Sequence, residues 1–151
     1  MLKEFMPPQQ VALDVEGLDT PEDVLRFAAQ MMVSAGKASP GYVEQVVQSY
    51  QKSGPYFVIA PGIALPHIRP SDAVFQTGIC FVRLKEPVAF GHPGNDPVKL
   101  VFLLAGTQSG SHLEMIGALG NLMGNEAAMA QLYSAKTLDE LMEVVEKSEA
   151  D

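Results

Sequence analysis

The chain has 151 residues, 47% of them hydrophobic, and a formal charge of −8 at pH 7. That is enough apolar material for one domain with a real core, and 10 Lys and Arg against 18 Asp and Glu argue against a nucleic-acid binder, which needs a basic face. The single cysteine, Cys80, excludes an internal disulfide and a multi-cysteine zinc site and suits a reducing cytoplasm; no apolar run of about 18 residues marks a membrane span, and MLKEFMPPQQ has no signal-peptide pattern.

Residues 1–10, with Pro7-Pro8 and Gln9-Gln10, read as a loosely ordered lead-in to one domain spanning 1–151. Val11, Leu13 and Val15 alternate with Ala12 and Asp14 as in a short strand. Thr20-Pro21-Glu22-Asp23 starts a helix: Thr20 caps, Pro21 fits the first turn and the acids suit the positive end of the dipole. Val24, Leu25, Ala28, Met31, Met32 and Ala35 form its inner face, and Gly36 ends it. A second helix is expected over residues 40–52, with Tyr42, Val43, Val46, Val47 and Tyr50 turned inward; Ser53-Gly54-Pro55 stops it.

The pattern then becomes β. Residues 56–60 (YFVIA) form a β-rich run, and residues 63–65 a brief extended piece that Pro66 holds extended. Residues 78–84 (GICFVRL) and 100–105 (LVFLLA) are the stronger strands; the second is apolar throughout, so both of its faces must be covered. The Gly- and Pro-rich residues 87–97 form a loop between them. Ser111-His112-Leu113-Glu114 matches a capping box, followed by Leu113, Ile116, Leu119, Gly120 and Met123 at helical spacing. A short helix is expected near residues 126–133, and Thr137 caps a last one with Leu138, Leu141, Met142 and Val145 inside. Strands framed by helices at both ends indicate an α/β layered domain.

Three histidines carry the candidate chemistry. His67 lies in APGIALPHIRP, where three prolines and a glycine constrain the backbone directly after a strand. It is either a reactive group on a rigid support or a loop histidine bonded to a carbonyl. His112 opens a helix, where unpaired N–H groups and the dipole make an anion site; that field favours a neutral imidazole. The alternative is an ordinary capped helix. Ser111 and the stretch Gly106-Thr107-Gln108-Ser109-Gly110 add hydroxyls and free backbone. Arg69 is the one basic side chain beside His67, either a phosphate partner or a solvated arginine. His92 reads as a solvated loop residue, and Cys80 as inert packing. No H-E-x-x-H, P-loop or G-x-S-x-G is present, so a metal hydrolase built on His67 and His112 is a weak alternative. A neutral imidazole is a nucleophile and a phosphoryl group suits such a site.

GIALPH, ending in His67, resembles the active-site motif of the mannitol/fructose-type enzyme IIA family of the bacterial phosphoenolpyruvate-dependent sugar phosphotransferase system. SHLEMIGAL, residues 111–119, resembles that family's second histidine motif, and GPYFVIAPGIALPHIRP looks most like the ascorbate-type branch. The resemblance implies a mixed β-sheet flanked by helices and a phosphoryl relay without metal, nucleotide or other cofactor. It implies that His67 takes the phosphoryl group from phosphorylated HPr and passes it to a cysteine of enzyme IIB, with the IIC membrane permease engaged only indirectly. His112 would orient His67 or stabilise charge, helped by backbone donors near Ser111, in a cytoplasmic protein. The chain departs from the pattern twice. Ile68 stands where many members have Gly, and no arginine lies between Arg26 and Arg69, so the role of an upstream arginine in mannitol-type members is vacant or taken by Arg69. A regulatory phosphoprotein of the same fold, like the nitrogen-type relatives, is the main alternative.

Overall fold

A computed structural model describes residues 1–108 and 112–150. Helix α1 spans Leu2–Phe5, strand β1 Val11–Val15, α2 Pro21–Ser34, α3 Gly41–Ser53, β2 Val58–Ala60, β3 Ile63–Ala64, β4 Gly78–Val88, β5 Val98–Ala105, α4 His112–Met123, α5 Glu126–Ser134 and α6 Leu138–Ala150. The strands form one mixed sheet in the order β1-β4-β5-β3-β2. β1 runs parallel to β4, β4 antiparallel to β5, β5 parallel to β3, and β3 antiparallel to β2.

β5 is the spine. Its alternate residues enter two separate cores, as its uninterrupted apolar sequence requires. Val101, Leu103 and Ala105 pack with α2 and α3 on one face, while Leu100, Phe102 and Leu104 pack with α1, α4, α5 and α6 on the other. The helices form where the caps predict. The Thr20 hydroxyl accepts from Asp23 N at 3.1 Å, and the Thr137 hydroxyl accepts from Glu140 N at 3.1 Å. Gly54, at φ +76°, terminates α3 in a conformation that only glycine adopts without strain.

Several expectations are corrected. Residues 1–10 are not loose: Leu2, Met6 and Gln10 are fully buried, and Gln10 Nε2 donates to the carbonyls of Phe5 and Ile79 at 3.0 and 2.9 Å. Lys37 Nζ donates to Gln10 Oε1, and burial pulls the Lys37 amine below its usual range. β4 continues through Pro87 to Val88. The ladder with β5 shifts register between Arg83 and Val88, and such an irregularity tolerates a residue without an N–H. β2 is shorter than expected, beginning at Val58. α4 buries Met115, Leu119 and Leu122, leaving Leu113 and Ile116 exposed. Apolar residues occupy nearly every face of this helix, so spacing alone does not choose among them. Leu138 is likewise exposed, and Val144 takes its place inside α6.

One buried cation ties the sheet to the helices. Arg83 is 3% exposed. Its Nε and Nη2 donate to the two carboxylate oxygens of Asp14 at 3.0 and 3.1 Å, and Nη1 donates to the carbonyls of Leu132 and Tyr133 at the end of α5. Arg83 holds the Asp14 carboxyl below the usual carboxylate range. A depressed acid stabilises the fold above its unfolded pKa and loses that contribution as pH falls through the folded one. Arg83→Met is expected to destabilise the fold by about 1–3 kcal/mol in urea titrations, because it leaves the carbonyls of Leu132 and Tyr133 without their donor, whereas the exposed Asp14 carboxylate turns to water. The variant should also lose part of the wild-type decline in stability below about pH 4. An unchanged midpoint would show that the cluster contributes nothing.

Candidate functional site

The site forms where β5 ends. β3 lies parallel to β5, and the chain after it keeps that alignment: Leu104 N donates to Pro66 O at 2.9 Å, and Ser71 N donates to Gly106 O at 3.4 Å. His67 is bridged to Leu104, and His112 packs its ring over Gly106, two residues further along. The structure thus brings His67 and His112 to the same strand end. His92 lies in the loop that enters β5 from the opposite end.

His67 is exposed. Its Nδ1 sits 2.7 Å from the carbonyl oxygen of Leu65. A carbonyl accepts only, so in the neutral ring Nδ1 carries the proton and Nε2 carries the lone pair. Among the described residues Nε2 has no hydrogen-bond partner. The two readings of His67 left open by the sequence are therefore compatible, since bonding a carbonyl is what frees the other nitrogen.

The ring borders an open cleft against α3. Lys52 and Arg69 line it, together with Gln45, Gln48, Ser49 and Tyr56. Two cations and no carboxylate among the described lining residues make a locally positive cleft in a chain of charge −8. Neither cation has an ion-pair partner among the described residues. Sequence reading identified Arg69 but missed Lys52, which enters the cleft from the last turn of α3; no motif marks it. Tyr56, whose hydroxyl donates to the His67 carbonyl, was missed for the same reason.

His112 opens α4. A Cβ built on Gly106 would lie 2.7–3.1 Å from three atoms of its ring, so a side chain here would force the imidazole to move. Nδ1 of His112 is buried and lacks a partner among the described residues. Ser111, proposed to cap α4 and to bind phosphate, lies outside the described residues. His92 proves to be more than a solvated loop residue. Its Nδ1 accepts from Gly94 N and Asn95 N at 3.1 and 3.0 Å, while Asp96 accepts from the amides of Phe90, Gly91 and His92, so the two side chains organise the loop. Cys80 is fully buried, and burial pushes its thiol up to about 12, which leaves it chemically silent. No group of three or more metal-ligating side chains occurs among the described residues, and no described helix is long and apolar enough to cross a membrane.

The fold and the paired histidines define a class: a mixed α/β sandwich that presents two imidazoles at one strand end. Residues 4–148 match the family model described as "Phosphoenolpyruvate-dependent sugar phosphotransferase system, EIIA 2", and the chain belongs to this family. It is 33% identical over 133 residues to the "Ascorbate-specific PTS system EIIA component" of Salmonella typhimurium, covering 87% of this chain and 86% of that one. Among solved structures it resembles the mannitol-specific cryptic phosphotransferase enzyme IIA CmtB from Escherichia coli, with TM-score 0.83, 28% identity and coverage of 97% of this chain and 98% of that one. It also matches the structure of the complex of enzyme IIA-mannitol and phosphorylated enzyme IIB-mannitol from Escherichia coli, with TM-score 0.76, 26% identity and coverage of 92% and 95%.

Gly106→Ala is expected to fold but to displace the His112 ring. Overpacking of this kind costs about 1–3 kcal/mol. Nitrogen-15 spectra should show the His112 ring signals moving while those of His67 hold. Coincident His112 signals in variant and wild type would mean that the ring does not depend on the missing Cβ.

Proposed function

We propose that the chain is the phosphoryl-carrying IIA component of a sugar phosphotransferase system and that Nε2 of His67 is the acceptor. The observation that carries this reading is the fixed tautomer: Nδ1 donates to Leu65 O at 2.7 Å, which leaves the Nε2 lone pair on an exposed ring beside two cations. In the transfer from phosphorylated HPr, the Nε2 lone pair forms an N–P bond as the donor's bond to phosphorus breaks, and the departing pair stays with the donor. Nδ1 keeps its proton throughout, and its bond to Leu65 O supports the positive charge that the ring acquires. Lys52 and Arg69 offset charge on the phosphoryl oxygens, where preorganised cations act most strongly. His112 orients His67 or supplies a further donor, with Ser111 beside it in the chain.

The second half of the relay passes the group to a cysteine of enzyme IIB. Since Cys80 is buried, that thiol must come from another protein. Leu113, 87% exposed, follows His112 on α4. Large exposed apolar side chains beside a reactive group suit a protein surface that seats there. The name of the Salmonella relative supports the ascorbate-type branch, in which the sugar itself is handled by the IIC permease.

Phosphorylated HPr is expected to label this chain through an acid-labile, base-stable bond. His67→Gln should abolish labelling; full labelling of that variant sinks the assignment. Lys52→Gln combined with Arg69→Gln should slow labelling about ten-fold, or ~1.4 kcal/mol of transition-state stabilisation. Onward transfer to an IIB cysteine separates transport from regulation: a label that no IIB removes would favour the regulatory role.

A further inference from the structure

Tyr56 is 46% exposed, yet it is tied to His67 twice. Its hydroxyl donates to the main-chain carbonyl of His67 at 2.7 Å. Its ring meets the imidazole edge to face, with centroids 5.4 Å apart and planes at 81°. Tyr56 is in turn anchored to the core. Its ring contacts Phe57 at 5.2 Å and 65°, and Phe57, 2% exposed, packs against Tyr50 and Phe90. Ser49 Oγ lies 3.4 Å from the Tyr56 hydroxyl on the α3 side. A continuous line of rings therefore runs from the buried core to an otherwise exposed imidazole.

From this geometry we infer that Tyr56 is the positioning residue of the acceptor, holding His67 so that Nδ1 stays on Leu65 O and Nε2 faces the cleft; this rests on the reading of His67 as the acceptor. An imidazole has two side-chain torsions, and one hydrogen bond at Nδ1 leaves the ring free to pivot about that contact. The tyrosine ring blocks that pivot, and its hydroxyl fixes the carbonyl of the residue from which the imidazole springs. An imidazole released into an open cleft would lose Leu65 O part of the time. A free histidine ring in water prefers its proton on Nε2, so release removes the nucleophilic lone pair from the very atom that must react. Tyr56 acts through His67 and needs no contact with the phosphoryl group.

The test uses two variants of the full chain. Tyr56→Phe keeps the ring and removes the hydroxyl bond; Tyr56→Leu removes both contacts. The first readout is the His67 tautomer in the unphosphorylated protein, taken from long-range proton–nitrogen spectra with the imidazole neutral. Wild type should show the proton on Nδ1, Tyr56→Leu a mixture weighted toward Nε2, and Tyr56→Phe an intermediate. The second readout is labelling by phosphoramidate, a small donor that needs no protein docking. Its nitrogen departs with a proton from water as His67 Nε2 forms the new N–P bond. Labelling should slow roughly three-fold in Tyr56→Phe and ten-fold or more in Tyr56→Leu, with melting temperatures close to wild type. A wild-type tautomer and wild-type phosphoramidate rate in Tyr56→Leu would overturn the proposal. So would a loss confined to the concentration dependence with phosphorylated HPr, which would make Tyr56 a docking residue. Failure of phosphorylated HPr to label even wild type would strike the acceptor reading instead, and the tautomer would still report whether Tyr56 holds the ring.

Discussion

The carbonyl oxygen of Leu65 can only accept, and that restriction sets the chemistry of the whole strand end. In the neutral ring it places the proton on Nδ1 of His67 and leaves the lone pair on Nε2. The bond exists because Leu65 and His67 flank Pro66, which supplies no N–H and holds Leu65 extended. Pro66 still gives its carbonyl to Leu104 of the central strand, so the segment is fastened to β5 although Pro66 itself donates no amide. β5 in turn is fixed by cores on both faces. Nε2 of His67 thus takes its position from a strand covered on both faces, the support that a site with little positional slack requires.

Electrostatics at the site run against the rest of the chain. The net charge is −8, yet the cleft beside His67 shows Lys52 and Arg69 and no carboxylate among its described lining residues. The two fields have different ranges and so do different jobs. The long-range negative field suits approach by a basic partner surface. Under the proposed function, the local cations act only at contact, within about a Debye length of 8–10 Å, on the phosphoryl oxygens themselves.

Much of this was legible in the residues. The fully apolar run of β5 told of two covered faces. The prolines around His67 told of a rigid support, and Thr20 and Thr137 marked their helices through local hydrogen bonds. Two kinds of feature stayed hidden. The first is orientation where composition is degenerate: α4 is apolar nearly all round, so whether Leu113 or Met115 faces inward depends on what α1 and α6 offer, and that is a tertiary matter. The second is long-range pairing. Nothing near Arg83 announces Asp14, 69 residues away, or the carbonyls at the end of α5. Nothing in the first ten residues announces that Gln10 will be buried against β4 and Lys37. Lys52 and Tyr56 belong with these, since each acquires meaning only once α3 and the His67 segment are folded side by side. His92 shows the converse: its loop composition was read rightly as surface, but its two backbone bonds depend on a turn geometry that composition does not specify.

The two histidines reach the same strand end under opposite physical regimes. His67 is exposed and kept in place by polar contacts to carbonyls and an aromatic edge. His112 is pressed onto the bare Cα of Gly106 with Nδ1 buried. An exposed ring can meet successive partners from solvent, provided something other than burial fixes its orientation. A half-buried ring seated against the backbone turns less freely toward solvent. A relay that must bind a donor and then an acceptor at one atom needs the first kind for the atom that reacts and the second for the group that stays behind. Under the proposed function, the glycine at position 106 and the tyrosine at position 56 serve those two needs: one admits a ring by lacking a side chain, and the other restrains a ring by supplying one.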